Sequence, residues 1–176
     1  MNTATLSFED KYNIISSKDT IYEGVFITAV KTTGIFCRPS CRARKPKPEN
    51  VVFYDTVKVA LQNGFRPCKI CKPMEQEATT PDYIKDIINE LQKEPYKRIT
   101  DENLRQRNIE PHTIRRWFKQ HYNVTFHSFQ RMLRINDAFT NIKKGTSITY
   151  AAFESGYESL SGFNESYRSV FGDSAK

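Results

Sequence analysis

The sequence predicts an α+β fold in two parts: a small cross-linked α+β unit over residues 1–73 and an all-α unit over residues 82–176, joined by a polar linker at 74–81. Three observations predict it. All four cysteines fall between positions 37 and 71. The first 73 residues carry short β-type runs broken by Pro39, Pro46, Pro48, Pro67 and Pro73. Beyond residue 82 the apolar residues recur at helical spacing instead.

In chain order, residues 21–30 read as a strand, with Tyr22, Val25, Ile27 and Val30 among polar neighbours. Thr32-Thr33-Gly34 is a turn sequence, and Val51 to Tyr54 a second strand. Residues 56–63 suit a short helix, with Val57, Ala60 and Leu61 on one face and Gly64 as its stop. The linker is polar, lacks periodicity and ends at Pro81. Tyr83, Ile84, Ile87, Ile88 and Leu91 then form one helical stripe. Thr100 caps a short helix containing Leu104, and Pro111 opens the next, which carries Ile114, Trp117 and Phe118. Residues 126–142 make a longer helix. Ser147 begins another, which ends at Gly156. Ser159 or Ser161 opens the last, closed by Gly172. Two short-helix, turn, helix units thus flank one long helix.

With 176 residues, 38% of them apolar, the chain has room for two small domains and no apolar run of membrane-spanning length. The N-terminus lacks a basic segment followed by an apolar one, so a cytoplasmic protein is expected. The net charge of +7 concentrates around the cysteines. Between Cys37 and Cys71 stand Arg38, Arg42, Arg44, Lys45, Lys47, Lys58, Arg66 and Lys69, opposed only by Glu49 and Asp55. That density suits an anionic partner, although a solvated basic face reads the same way.

The cysteines are spaced Cys37-x3-Cys41 and Cys68-x2-Cys71. Two close pairs at the ends of a short subdomain fit one tetrahedral all-thiolate zinc ion, and a unit with so small a core needs such a staple. Soft sulfur ligands also admit an iron–sulfur centre. Disulfides do not suit a reducing compartment. The three histidines, His112, His121 and His127, all lie beyond the linker, so the four thiolates must close the site. A closed four-cysteine site is most often structural. Its alternative is chemical: four thiolates around one divalent ion carry a formal charge of −2 and stay nucleophilic toward a soft electrophile such as a methyl group. Arg38, Arg42, Arg44, Arg66 and Lys69 are placed to hold a phosphate backbone beside such a sulfur.

The run Thr32-Thr33-Gly34-Ile35-Phe36-Cys37-Arg38-Pro39-Ser40-Cys41-Arg42-Ala43-Arg44 resembles the N-terminal domain of the Ada family of DNA alkylation-response proteins. Glu49-Asn50-Val51, Phe53-Tyr54 and Gly64-Phe65-Arg66-Pro67-Cys68-Lys69-Ile70-Cys71 extend the likeness over residues 20–73. The resemblance implies one zinc ion on Cys37, Cys41, Cys68 and Cys71. It also implies irreversible transfer of a methyl group from DNA methylphosphotriesters to Cys37, with DNA contacts at Thr33, Arg42, Arg44 and Arg66. Spacing alone does not select Cys37 from the four. Larger members carry a second acceptor domain with a Pro-Cys-His-Arg motif; no cysteine follows Cys71, so this chain resembles the split, AdaA-type arrangement.

A short helix, a turn and a second helix is the layout of a helix-turn-helix DNA reader, and equally of a plain helical bundle. Ala151-Ala152, Gly156 and the apolar face Tyr157, Phe163, Tyr167 and Phe171 resemble the second unit of the AraC family, whose domain joins two such units by a long helix. The resemblance implies double-stranded operator DNA and RNA polymerase as partners of a monomer. Asn164 and Arg168 in the second unit, and Arg115 and Arg116 in the first, are the candidate DNA contacts. The first unit departs from the pattern: Arg105, Gln106 and Arg107 replace small apolar residues, and Asn108 stands at the usual glycine. The chain stops at Ser174-Ala175-Lys176 where such domains continue with one more helix, so a C-terminal truncation is expected. Three functions compete: a single-turnover methyl acceptor that becomes a transcriptional activator once methylated, an AraC-type factor whose four-cysteine site is structural or senses another electrophile, or a zinc-stapled architectural DNA protein with no switch.

Overall fold

The computed structural model describes residues 6–75 and 79–171. Its first element was not anticipated. Helix α1 (Phe8–Ser17) begins at a capping box in which Ser7 Oγ accepts the Asp10 N–H and the Asp10 carboxylate accepts the Ser7 N–H. Its only buried residues, Ile14 and Ile15, pack with Phe26 in a cluster of their own.

The strand expected over residues 21–30 is shorter. Asp19 caps a 3-10 turn at Thr20–Tyr22 and Gly24 lies at φ 79°, so the chain is still turning there and β1 covers Ile27–Val30. The Thr32-Thr33-Gly34 turn reverses it, with Gly34 at φ 66°, into β2 (Ile35–Cys37). β3 (Val51–Tyr54) and α2 (Val57–Gln62) lie where the sequence places them, and Thr56 caps α2. β4 is the two-residue stretch Arg66–Pro67. The sheet order is β3-β1-β2-β4; β1 is antiparallel to β2 and β3, and β4 runs parallel to β2.

The helical half follows as α3 (Asp82–Lys93), α4 (Asp101–Gln106), α5 (Pro111–Tyr122), α6 (Phe126–Lys143), α7 (Ile148–Glu154) and α8 (Leu160–Phe171). Thr100 caps α4, Pro111 stands in the first turn of α5, and Ser147 caps α7. Of the two serines proposed to open α8 it is Ser159, whose Oγ accepts the Gly162 N–H at 3.1 Å. Gly172 lies outside the described residues. α4 and α5 form one helix-turn-helix unit and α7 and α8 the other, with α6 between. Asn108 takes the left-handed conformation, φ 57°, in the first turn, as Gly156 does, φ 81°, in the second. Asparagine is among the few side chains that tolerate this, which is how the first unit manages without its glycine.

The described ends of the segment expected to be a linker are packed rather than free. Met74 is 2% exposed, and its carbonyl accepts the Tyr122 hydroxyl at 2.9 Å and the Thr80 hydroxyl at 3.4 Å. One core runs through both halves, from Ile27, Phe36 and Leu61 to Ile84, Ile114, Phe118 and Leu133. The sheet is too small to bury its own apolar face and borrows helices to do so. Buried side chains fix the docking: Gln92 Nε2 donates to the Pro67 carbonyl at 2.9 Å and Asn136 Nδ2 to that of Gly64 at 2.7 Å. The second helix-turn-helix has a separate core of Ile135, Ala138, Ala151, Ala152, Phe163 and Tyr167. Among the described residues no helix is long and apolar enough to cross a membrane.

Candidate functional site

Strand pairing brings two of the four cysteines together. Phe36 of β2 is in register with Pro67 of β4, and the Cys68 N–H donates to the Phe36 carbonyl at 2.9 Å. Cys37 and Cys68 therefore stand at adjacent strand ends. A tight turn after each brings in the second member of its pair: the Cys41 N–H reaches the Arg38 carbonyl at 3.2 Å, and the Lys72 N–H that of Cys68 at 3.0 Å. All four Sγ atoms lie within 4.8 Å of one another, and Cys41 and Cys68 are 4.0 Å apart. A tetrahedron with zinc–sulfur bonds of about 2.3 Å has edges of roughly 3.8 Å, so the cluster fits the ion.

Packed this closely, the sulfurs share protons. The hydrogen bond between Cys37 and Cys41 pushes the first thiol up and holds the second at about 7. Backbone donors separate the four further. The Arg38 N–H points to Cys71 Sγ and the Ile70 N–H to Cys68 Sγ, both at 3.4 Å. None of the described backbone N–H groups hydrogen-bonds Cys37 Sγ. Each such bond withdraws electron density from its sulfur, which leaves Cys37 and Cys41 more electron-rich than Cys68 and Cys71.

Beside Cys37 and Cys41 runs a groove of about 540 Å³. Ile35, Pro39 and Ile70 give it apolar walls, and Thr33, Arg44, Lys45 and Lys47 a polar, basic rim. Ile70 is 65% exposed between two cysteines. Sequence reasoning passed it over because one apolar residue in a basic stretch carries no period.

The structure distributes the predicted DNA contacts unevenly. Thr33 and Arg44 are exposed at the groove. Arg42 is exposed but does not line it, and its carbonyl accepts Lys18 Nζ at 3.3 Å. Arg66 turns the other way, into a small cavity with Asp137 of α6, where burial lowers its pKa and raises that of Asp137. Arg38 is not free for phosphate: its guanidinium binds the Lys72 and Glu75 carbonyls, at 3.0 and 2.6 Å, and faces Glu23. In the helical half Arg115 pairs with Asp101, and Arg116 and Arg168 are exposed. Asn164 is half-buried, with its Oδ1 unpartnered.

Residues 10–74 match the metal binding domain of Ada, and residues 105–176 match a helix-turn-helix domain. The chain is 33% identical over 138 residues to the bifunctional transcriptional activator/DNA repair enzyme AdaA of Bacillus subtilis (strain 168), covering 78% of this chain and 65% of that protein. It is 34% identical over 180 residues to the bifunctional transcriptional activator/DNA repair enzyme Ada of Escherichia coli (strain K12), covering 100% of this chain and 50% of that one. The chain thus spans half to two thirds of the length of these relatives. Among solved structures, the methylated N-ADA/DNA complex is 34% identical, with a TM-score of 0.40, over 73% of this chain and 98% of that one. With the family match and the fit of its four sulfurs, the cluster is a site for one zinc ion.

Proposed function

The chain belongs to the Ada family, and from that premise we propose that it repairs DNA by taking a methyl group from a backbone methylphosphotriester onto Cys37, irreversibly, and then acts as a sequence-specific transcriptional activator. The single observation that carries the reading is the groove itself, which Cys37, Cys41 and Cys68 border; Cys68 Sγ is tied to the Ile70 N–H, and the Phe36-Cys37-Arg38-Pro39-Ser40-Cys41 motif supports Cys37 over Cys41.

A methylphosphotriester is locally neutral and carries an exposed methyl group, while the phosphates on either side remain anionic. An apolar wall at Ile35, Pro39 and Ile70 under a rim of Arg44, Lys45 and Lys47 matches both features. Zinc on the four sulfurs would supply a thiolate that stays deprotonated at neutral pH. Cys37 Sγ attacks the methyl carbon, the S–C bond forms as the O–C bond breaks, and the electron pair leaves with the phosphodiester oxygen. No proton need move. None of the described groups beside Cys37 offers a route to regenerate the thiolate, so one chain repairs one lesion. Arg38 keeps the two cysteine turns in register through the Lys72 and Glu75 carbonyls. The two helix-turn-helix units read the operator, with Arg116, Asn164 and Arg168 as contacts. Arg115 joins them once it leaves Asp101. Recruitment of RNA polymerase by a monomer in the cytoplasm completes the reading.

The test is an intact-mass measurement of the zinc-loaded chain after exposure to a duplex with a single methylphosphotriester, followed by peptide mapping. The expected result is a gain of one methyl group on Cys37. No gain, or a methyl group on Cys41, Cys68 or Cys71, defeats the proposal.

A further inference from the structure

We propose that the cleft between the N-terminal half of α6 and the first turn of α8 is a phosphate-binding site, with Arg98, Arg131 and Arg134 as its donors. The starting observation is Arg134. It is 4% exposed, its Nε is buried without an acceptor, and among the described residues its charge is met by Tyr157 and by no carboxylate. Its one directed contact is with the face of Tyr157, 5.7 Å from the ring centre. A guanidinium cannot shed its charge, and a buried charge without a counterion is costly.

Its neighbours add to the charge. Arg98 and Arg131 line the same cleft, of about 380 Å³, and among the described residues neither has a carboxylate within ion-pairing distance; the described arginines that do pair, Arg38, Arg107 and Arg115, lie elsewhere. Burial and the three arginines lower the pKa of His127 at the cleft. The opposite wall is the start of α8, a helix of 12 residues, with Gly162 and Ser166 facing the cleft. A helix N-terminus favours negative charge, and here it faces a buried cation rather than an anion. Glu158 and Glu165 stand at the rim, exposed and unpaired, and do not fill the need.

Three guanidiniums with a serine hydroxyl suit a compact oxyanion that accepts from several directions, which is phosphate rather than a single carboxylate. The consequence is local. A side chain at Gly156 would start 3.1 Å from the Tyr96 carbonyl oxygen and 3.8 Å from Arg134 Cδ, so the turn of the second helix-turn-helix lies beside this arginine. An anion there would fix α8 against α6. The ligand is a phosphate group, either free or in a DNA backbone. The site does not depend on Cys37 as methyl acceptor, and its test does not read methyl transfer.

The experiment is an NMR titration of the zinc-loaded full chain with inorganic phosphate replacing chloride at constant ionic strength, following the His127 ring. A saturable shift is expected, with the His127 titration moving upward as the arginines are neutralised. Arg98→Gln/Arg131→Gln, which leaves buried Arg134 in place, should weaken binding at least tenfold. No saturable shift in the wild type, or unchanged affinity in the double variant, overturns the site. Duplex DNA titrated onto the phosphate-loaded protein separates the sources. Displacement of phosphate, with a log–log salt slope smaller by about 0.9 per lost contact in the double variant, identifies a backbone phosphate. Phosphate that stays bound beside the duplex identifies the free ion.

Discussion

Asn136 in the middle of α6 donates to the Gly64 carbonyl at 2.7 Å, and its Oδ1 fills the space where a side chain at Gly34 would begin. One buried amide thus touches both the turn leading into Cys37 and the stretch leading into Cys68. Asn136→Ala leaves the Gly64 carbonyl without its donor, which should cost about 2 kcal/mol and lower the melting temperature by roughly 4–8 °C. Gly34→Ala should cost more, because the new Cβ would stand 2.2 Å from Asn136 Oδ1 at a backbone φ of 66°. Thermal melts of the zinc-loaded variants check both, and a change under about one degree in either would contradict this contact.

Chelation should be felt beyond the cysteines. Structural zinc contributes on the order of 10 kcal/mol to small units of this kind. The shared core of Phe36, Leu61, Met74 and Phe118 passes that loss on to the helices. The single tryptophan, Trp117 on α5, is buried in the helical half as part of that shared core. Its fluorescence transition should fall in temperature with chelator, and also in Cys68→Ala. A Trp117 transition unmoved by zinc would mean that the halves fold independently.

Much of this was legible in the sequence. The spacing of Cys37, Cys41, Cys68 and Cys71 requires a common ligand, and helices α3 to α8 announce themselves through stripes such as Ile84, Ile87, Ile88 and Leu91. What the sequence hid was tertiary. Helix α1 buries two residues of its own, and β4 is two residues long, below any periodic signal. Met74 looked like part of a polar linker because its burial depends on Tyr122, 48 positions away. Arg38 and Arg66 looked as free as Arg44; only the fold gives the first to the Lys72 and Glu75 carbonyls and turns the second into a small cavity that Asp137 also lines.

Arg38→Ala should weaken zinc without touching a ligand. Two strands of evidence meet in this residue: its N–H supports Cys71 Sγ, and its guanidinium holds the Lys72 and Glu75 carbonyls. The substitution removes only the second. Loss of such outer support typically costs 10–100-fold in metal affinity. Competition with a chromogenic chelator measures it. An affinity equal to wild type would make the clamp dispensable.

Arg44 is exposed at the groove rim and has no carboxylate partner among the described residues. If it holds a phosphate beside the lesion, Arg44→Gln should lower affinity for unmodified duplex several-fold and reduce the log–log salt slope by about 0.9. Binding titrations at three salt concentrations give the slope. A parallel displacement of both curves, with no change in slope, would place Arg44 off the backbone.

Methylation of Cys37 should strengthen operator binding, because it changes the charge that faces the DNA. Four thiolates around a divalent zinc ion carry a formal −2, and a thioether in place of one thiolate leaves −1. Cys37 borders the groove, so a DNA backbone held there would lie close to that charge. One charge removed at roughly 8 Å, with an effective dielectric constant of about 20, changes the interaction by about 2 kcal/mol. Salt reduces the figure, but half of it is still several-fold in affinity. The gain is electrostatic and so should shrink as ionic strength rises, while the base contacts of α5 and α8 are less affected. Methylated and unmethylated chains titrated on the operator at two salt concentrations decide it. Equal affinity at low salt would mean that Cys37 repairs DNA without switching transcription.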